Sequence, residues 1–350
     1  MKIALVGYFG HENIGDEAIL QSVIQQLKKY HKPLEILVFT NTPTETSELY
    51  NVSTLKRKSI INIIAAIRMS DIILFAGGTL FQDETSFGSL IYYLFIIVLA
   101  KIFKRKVILY SQGVEPFRYY LSKFLVKQVF LFVDHISVRD RSSQAYLKKT
   151  LKIKKNIRFN IDSAMLLCPL QLNNKYRNFI GLNLMDVPNI PIEMIIKDLM
   201  EFTKTHNKKI LYIPFQERDR ILGEKLQKYF GVDSFVILDV MPNISELLGI
   251  IQQLDFLVGA RLHSLILSAT AYTPFIGIHI YDKVKSFSTD VHQNYLAFND
   301  LQKGVLYSTL IKVFNNKNKL KNQLKQTVEN LKEQSKDSLI NNILIKYEKT

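Results

Sequence analysis

Short β-rich apolar runs alternate with helix-length amphipathic segments along almost the whole chain, and this alternation narrows the fold more than any other feature. "KIALVGYF" (2–9) reads as a strand, and "GDEAILQSVIQQLKKY" (15–30) as a helix with acidic residues at its start and lysines at its end, as the helix dipole favours. There follow strands at 34–40, 71–78, 106–114 and 135–140, separated by helices near 58–68, 88–103 and 117–132. The pattern weakens in the Pro/Asn/Lys stretch "CPLQLNNKYRN" (168–178). It then resumes with strands at 179–184, 209–215, 235–240, 255–260 and 274–280 and helices near 191–206, 218–230, 244–253 and 262–272. Strands alternating with helices predict parallel sheets covered on both faces. No repeat at a 20–50-residue period is visible, so a solenoid is excluded.

A chain of 350 residues is long for one core. The expected organisation is an N-terminal α/β domain (1–167), a linker (168–178), a C-terminal α/β domain (179–307) and a helical tail (308–350). Ligands of open α/β sheets bind outside the carboxyl ends of the strands. The two domains are therefore expected to enclose a cleft, with the informative residues just after strands.

Composition removes several classes. Apolar residues make up 47% and charged ones 22%, which is globular rather than disordered. One cysteine, Cys168, excludes a disulfide framework and a cysteine metal cluster and fits a reducing cytoplasm. The N-terminal apolar run reads as a first strand, not a secretory segment. The longest apolar run, 90–100, falls short of the roughly 20 residues that span a bilayer and reads as a buried helix. The net charge of +15, with lysine clusters at 101–106, 148–155 and 316–325, attracts anions. No nucleic-acid-binding signature accompanies it. Two readings of the lysines stand: a solvated surface, or peripheral contact with the anionic inner face of the cytoplasmic membrane.

The residues with chemistry do follow strands. "GHENIGDE" (10–17) offers Asn13, Asp16 and Glu17 at a helix start. Carboxylates there repel phosphate but accept hydrogen bonds from sugar hydroxyls, and the bland alternative is N-capping. "GGTLFQD" (77–83) pairs Gly77 with Gly78, letting backbone amides approach a ligand, and adds Gln82 and Asp83. "SQGVEP" (111–116) and "SVRDRSS" (137–143) end the next strands, the latter with Arg139, suited to forked contact with carboxylate or phosphate. "GARLHS" (259–264) sets Arg261 and His263 at a strand–helix junction, and Lys283 follows the next strand in "YDKVKSF".

This ordered series, from "GYFGHENIGDEAIL" through "GGTLFQD", "SQGVEP", "SVRDRSS", "DSAMLL" (162–167) and "GARLHS" to "YDKVKSF", resembles the polysaccharide pyruvyl transferase family over roughly residues 3–290. The resemblance implies two Rossmann-like domains in a GT-B-like arrangement. It implies transfer of the enolpyruvyl group of phosphoenolpyruvate onto two hydroxyls of one sugar in cell-surface polysaccharide biosynthesis, with a lipid-linked or polysaccharide precursor as acceptor and no cofactor or metal. By the same resemblance Arg139, His263 and Lys283 hold the anionic donor. The family's usual Y-D-P-K-V is here "YDKVK", so Lys285 stands beside Lys283 as a candidate. His263 is then the acid that protonates the enol methylene, Arg139, Arg261 and Lys283 neutralise carboxylate and phosphate, and Asp16 or Glu17 handles the acceptor hydroxyls. Two competing readings are a GT-B glycosyltransferase whose nucleotide ribose meets Glu217 or Asp219, and a non-catalytic binder of lipid-linked sugars.

Overall fold

The computed structural model describes residues 1–84, 86–188, 191–238 and 243–348. The chain forms two compact units, Met1–Ser163 with Lys332–Thr350, and Ala164–Leu331.

The first unit is built on seven strands: β1 (Lys2–Phe9), β2 (Glu35–Thr40), β3 (Ser53–Lys56), β4 (Ile72–Phe75), β5 (Lys106–Gln112), β6 (His135–Val138) and β7 (Ile157–Phe159). They lie in the order β3-β2-β1-β4-β5-β6-β7, every pair parallel. Successive side chains of a strand point to opposite faces, and the core records this. Ile3 and Leu5 of β1 join the core under the helices Ile14–Lys28 and Ile340–Glu348. Ala4 and Val6 join the opposite core, under the helices Ile60–Met69, Phe87–Ile102 and Tyr120–Phe130. Both faces are covered, so a central strand such as β4 is apolar throughout and wholly buried.

The second unit repeats the plan with β8 (Phe179–Asn183), β9 (Lys209–Tyr212), β10 (Phe235–Ile237), β11 (Leu257–Gly259), β12 (Phe275–His279) and β13 (Asn294–Ala297). Their order is β10-β9-β8-β11-β12-β13, again parallel throughout. In each sheet the chain winds outward from its first strand, then returns to that strand's other side. The order therefore reverses between β1 and β4 and between β8 and β11, and the crevice at such a reversal is where open sheets bind ligands.

The stretch 168–178 has no regular structure but is tied to the second unit, where the Leu170 N–H donates to the Ser245 carbonyl and the Tyr176 N–H to Gln253. The region after 308 is divided between the units. Helix Val305–Gln334 sets Leu306, Leu310 and Val313 into the second core, whereas Ile340, Ile343 and Leu344 enter the first. The strand expected at 235–240 is seen as β10, and its positions 239–240 lie outside the described residues.

Candidate functional site

At the first reversal point, the loop after β1 turns through Gly10 and Glu12, both at positive φ, into the helix that Asn13 caps. The Asn13 carboxamide accepts from the Gly15 N–H at 3.2 Å and donates to Asp16 at 2.6 Å. Glu17 accepts the Gly10 N–H at 2.8 Å. Burial raises the Glu17 carboxyl above its ordinary value, the Gly10 N–H opposes this, and the charges of Asp16 and Glu45 add to it. The loop after β4 meets this one. Gly78 has φ +79°, and a Cβ there would stand 3.3 Å from an Asp16 carboxylate oxygen, so glycine lets the two loops close together.

Arg139 belongs to the same edge. Its guanidinium lies flat over Gly113, where a Cβ would come within 2.7–2.8 Å of it. It donates to Asp162 at 3.1 Å and to the Thr79 hydroxyl at 3.0 Å, with its side chain 6% exposed. It thus reaches from the end of β6 back across β5 to the loop after β4. Asp140 beside it caps the helix Arg141–Ala145. Gln82 accepts the Glu84 N–H. Asp83 is buried and accepts the Arg118 and Tyr119 N–H groups at 2.8 and 3.0 Å. Burial alone would raise its carboxyl, but the Ser122 hydroxyl and these amides outweigh it and hold it below the usual value. Its bonds fix the loop after β5, so its part here is to position backbone.

Arg57 is a further feature of this edge that no sequence motif marks. It is 8% exposed and donates to His11 Nε2 at 2.9 Å and to the Tyr93 hydroxyl at 3.1 Å. A guanidinium only donates, so His11 accepts through Nε2 and is neutral. Burial, then the charges of Arg57 and Lys58, lowers its pKa. The His11 ring stacks on the half-exposed Tyr8 ring at 4.0 Å between centroids.

At the second reversal point Asn183, fully buried, knits three strand ends together. Its carboxamide accepts the Arg261 N–H at 3.2 Å and donates to the Ile213 carbonyl at 2.9 Å, while its backbone carbonyl accepts the Ala260 N–H. Arg261 is engaged by a fork. Its Nε and Nη2 each lie 2.6 Å from Asp219, and Nη2 also reaches Gln216 at 3.0 Å. Asp219 has no exposed side-chain surface and also accepts the Phe215 N–H. That pair pins the turn on which His263 enters helix Leu262–Thr270, leaving the half-buried imidazole in the first helical turn beside the ends of β8 and β11. Lys283 follows β12 in the first turn of helix Asp282–Asp290, its ammonium 4.9 Å from the Tyr281 ring centre. Lys285 is exposed and leans toward Tyr295.

The model of the polysaccharide pyruvyl transferase family matches residues 13–280, from the helix start after β1 to the end of β12. The chain belongs to the polysaccharide pyruvyl transferase family. As a member of that family it is a pyruvyl transferase of polysaccharide biosynthesis. Among solved structures it is similar to a UDP-N-acetylglucosamine 2-epimerase, at 13% identity over 100% of this chain and 97% of that one, with TM-score 0.70. It is also similar to Anabaena Alr3699/HepE in complex with UDP-glucose (9% identity, 99% of each chain, TM-score 0.64). A third is a glycosyltransferase from Rickettsia africae ESF-5, at 12% identity over 99% of this chain and 96% of that one, TM-score 0.61. These likenesses show the fold, the two-domain α/β class of GT-B glycosyltransferases and epimerases. None of the curated proteins matches the chain.

Proposed function

We propose that this pyruvyl transferase takes its pyruvyl group from phosphoenolpyruvate and sets it as a ketal on two hydroxyls of one sugar, without a cofactor. The observation that carries the reading is that the family match covers strands of both sheets, with Arg139 and His263 inside it and Lys283 three residues past its end, each following a strand's carboxyl end. In the proposed reaction His263 gives a proton to the enol methylene of the donor. C2 becomes electrophilic and one sugar hydroxyl adds to it, its proton leaving to a base. A second hydroxyl of the same sugar then displaces phosphate, and its proton leaves with the phosphate. Two bonds to oxygen form at C2 and one C–H bond forms at C3, the C2=C3 π bond and the C2–O bond to phosphate break, and the proton taken by the base replaces the one His263 gave.

The donor carries a carboxylate and a phosphate, and Arg139 and Lys283 are assigned to them. Arg261 holds the His263 turn through Asp219, a positioning part rather than a donor contact. Glu17 suits the acceptor-side base better than Asp16, since burial moves its carboxyl toward the working range of a base. Asn13, Asp16, Gln82 and the Gly77–Gly78 backbone are assigned to the acceptor. The sugar is proposed to belong to a lipid-linked or polysaccharide precursor.

A nucleotide-sugar donor has less support at Asp219, whose buried carboxylate is already occupied by Arg261 and the Phe215 amide, which leaves the exposed Glu217 for a ribose. Competition binding tests the choice. Saturable phosphoenolpyruvate binding, untouched by UDP-glucose and weakened in Arg139→Ala and Lys283→Ala, is expected. Saturable UDP-glucose binding with none for phosphoenolpyruvate would reverse the assignment.

A further inference from the structure

Three helices of the first unit, Ile60–Met69, Phe87–Ile102 and Tyr120–Phe130, pack side by side over one face of its sheet. Their inner faces do what amphipathic helices ordinarily do, burying Ile63, Ile97 and Val126 among the strand side chains. Their outer faces depart from the rule. The solvent side of the middle helix is the stripe Ile91, Phe95, Val98 and Ile102, spaced by three and four residues, with Ile102 67% exposed. The flanking helices continue it with Ile61, 81% exposed, and with Tyr120, Leu121 and Phe124, the first of these 84% exposed. Helices lie about 10 Å apart and the middle one is about 24 Å long, so the apolar face covers on the order of 500 Å². A patch of that size marks an interaction surface rather than scattered exposed residues.

Its charges select the partner. None of the three helices contains Asp or Glu, while Lys58, Arg68, Lys104, Lys123 and Lys127 stand on or beside them. Of the neighbouring acids, the exposed Glu84 stands before the middle helix and three others are engaged. Asp71 accepts the Lys2 amide, Asp134 holds Lys101 and the Val107 amide, and Asp83 accepts the amides described above. A second copy of the chain would set one basic rim against another. A protein partner of ordinary kind would look for about one hydrogen bond per 100–200 Å², and the exposed middle stripe supplies only hydrocarbon. Among the described residues no helix is long and apolar enough to cross a membrane.

We propose that this face is a membrane-docking surface, resting in the headgroup region of an anionic bilayer with its apolar stripe immersed and its basic rim on the lipid phosphates. The two helices richest in exposed apolar residues start just after the 77–83 and 111–116 loops, so the surface adjoins the edge that carries Gly77, Gly78 and Gly113. The inference stands on this surface alone and holds whichever donor the enzyme uses.

The test is co-sedimentation of the full chain with vesicles of phosphatidylcholine, alone or mixed with phosphatidylglycerol. Binding to the mixed vesicles is expected, weakened by salt. It should fall about tenfold or more in Phe95→Ser/Phe124→Ser and about fivefold for each of Lys123→Gln and Lys127→Gln. Urea unfolding of each variant checks that the fold is kept. Three results would overturn the proposal: no binding to either vesicle, binding that the substitutions leave unchanged, or equal binding to both compositions. A lipid-free dimer by light scattering, dissociated by the Phe95→Ser/Phe124→Ser pair, would assign the face to self-association instead.

Discussion

His263 owes its position to side chains that never need to touch substrate: the fork between Arg261 and Asp219 and the carboxamide of Asn183 fix the turn from which it projects. Replacing His263 with Gln keeps polarity and size but removes the proposed acid. Pyruvyl transfer should fall about 10²- to 10⁴-fold, with thermal unfolding nearly unchanged. Glu17 makes a pH prediction of definite sign. Its carboxyl is raised in the folded chain, so between the unfolded value and the folded one the native state binds more protons, and stability falls as pH rises through that window. Glu17→Gln, which keeps an acceptor for the Gly10 amide, should therefore be more stable than the parent near neutral pH. The gain should vanish once the pH drops below the unfolded carboxyl value. Urea unfolding across pH checks it, and a base role would appear as an acid limb in the rate profile that the variant lacks.

Elements show why some of this could be read from residues in order and some could not. Central strands such as β1, β4 and β5 are apolar because both faces are covered, and they stand out in the sequence. The edge strand β3, "STLK", has no buried residue, and β7 has three residues, so neither leaves a periodic trace. The helices Pro43–Tyr50 and Asp282–Asp290, short and polar, were equally faint. Motifs placed Arg139, His263 and Lys283 after strands. The groups that hold Arg139 and the Arg261 side chain, Asp162 and Asp219, come from the loop after β7 and the first turn of helix Glu217–Phe230, 23 and 42 positions away, a proximity only the fold creates. Gly113 is the informative case. Its need is not a special backbone angle but room for the Arg139 guanidinium. Gly113→Ala should push that side chain aside, costing about a hundredfold in transfer and about 1–3 kcal/mol of stability as the buried Arg139–Asp162 pair is disturbed. Steady-state kinetics with phosphoenolpyruvate, beside a melting curve, would show both.

At the scale of the whole molecule, the same winding occurs twice, and each reversal of strand order carries motif residues of one family. The first unit brings a buried arginine, an acidic helix start and paired glycines to its edge, and the second brings an arginine-braced histidine and a lysine. The similarity to UDP-sugar proteins at 13% identity or less concerns this frame, not its chemistry. Pyruvyl transfer from phosphoenolpyruvate is tested by its product. Incubation of the chain with phosphoenolpyruvate and a panel of glycosyl acceptors, followed by mass spectrometry, is the most direct measurement. The account predicts an acceptor heavier by one ketal-linked pyruvate, with an equal amount of phosphate released and neither in His263→Gln. A hexosyl mass increment from a UDP-sugar, with no gain from phosphoenolpyruvate, would contradict it.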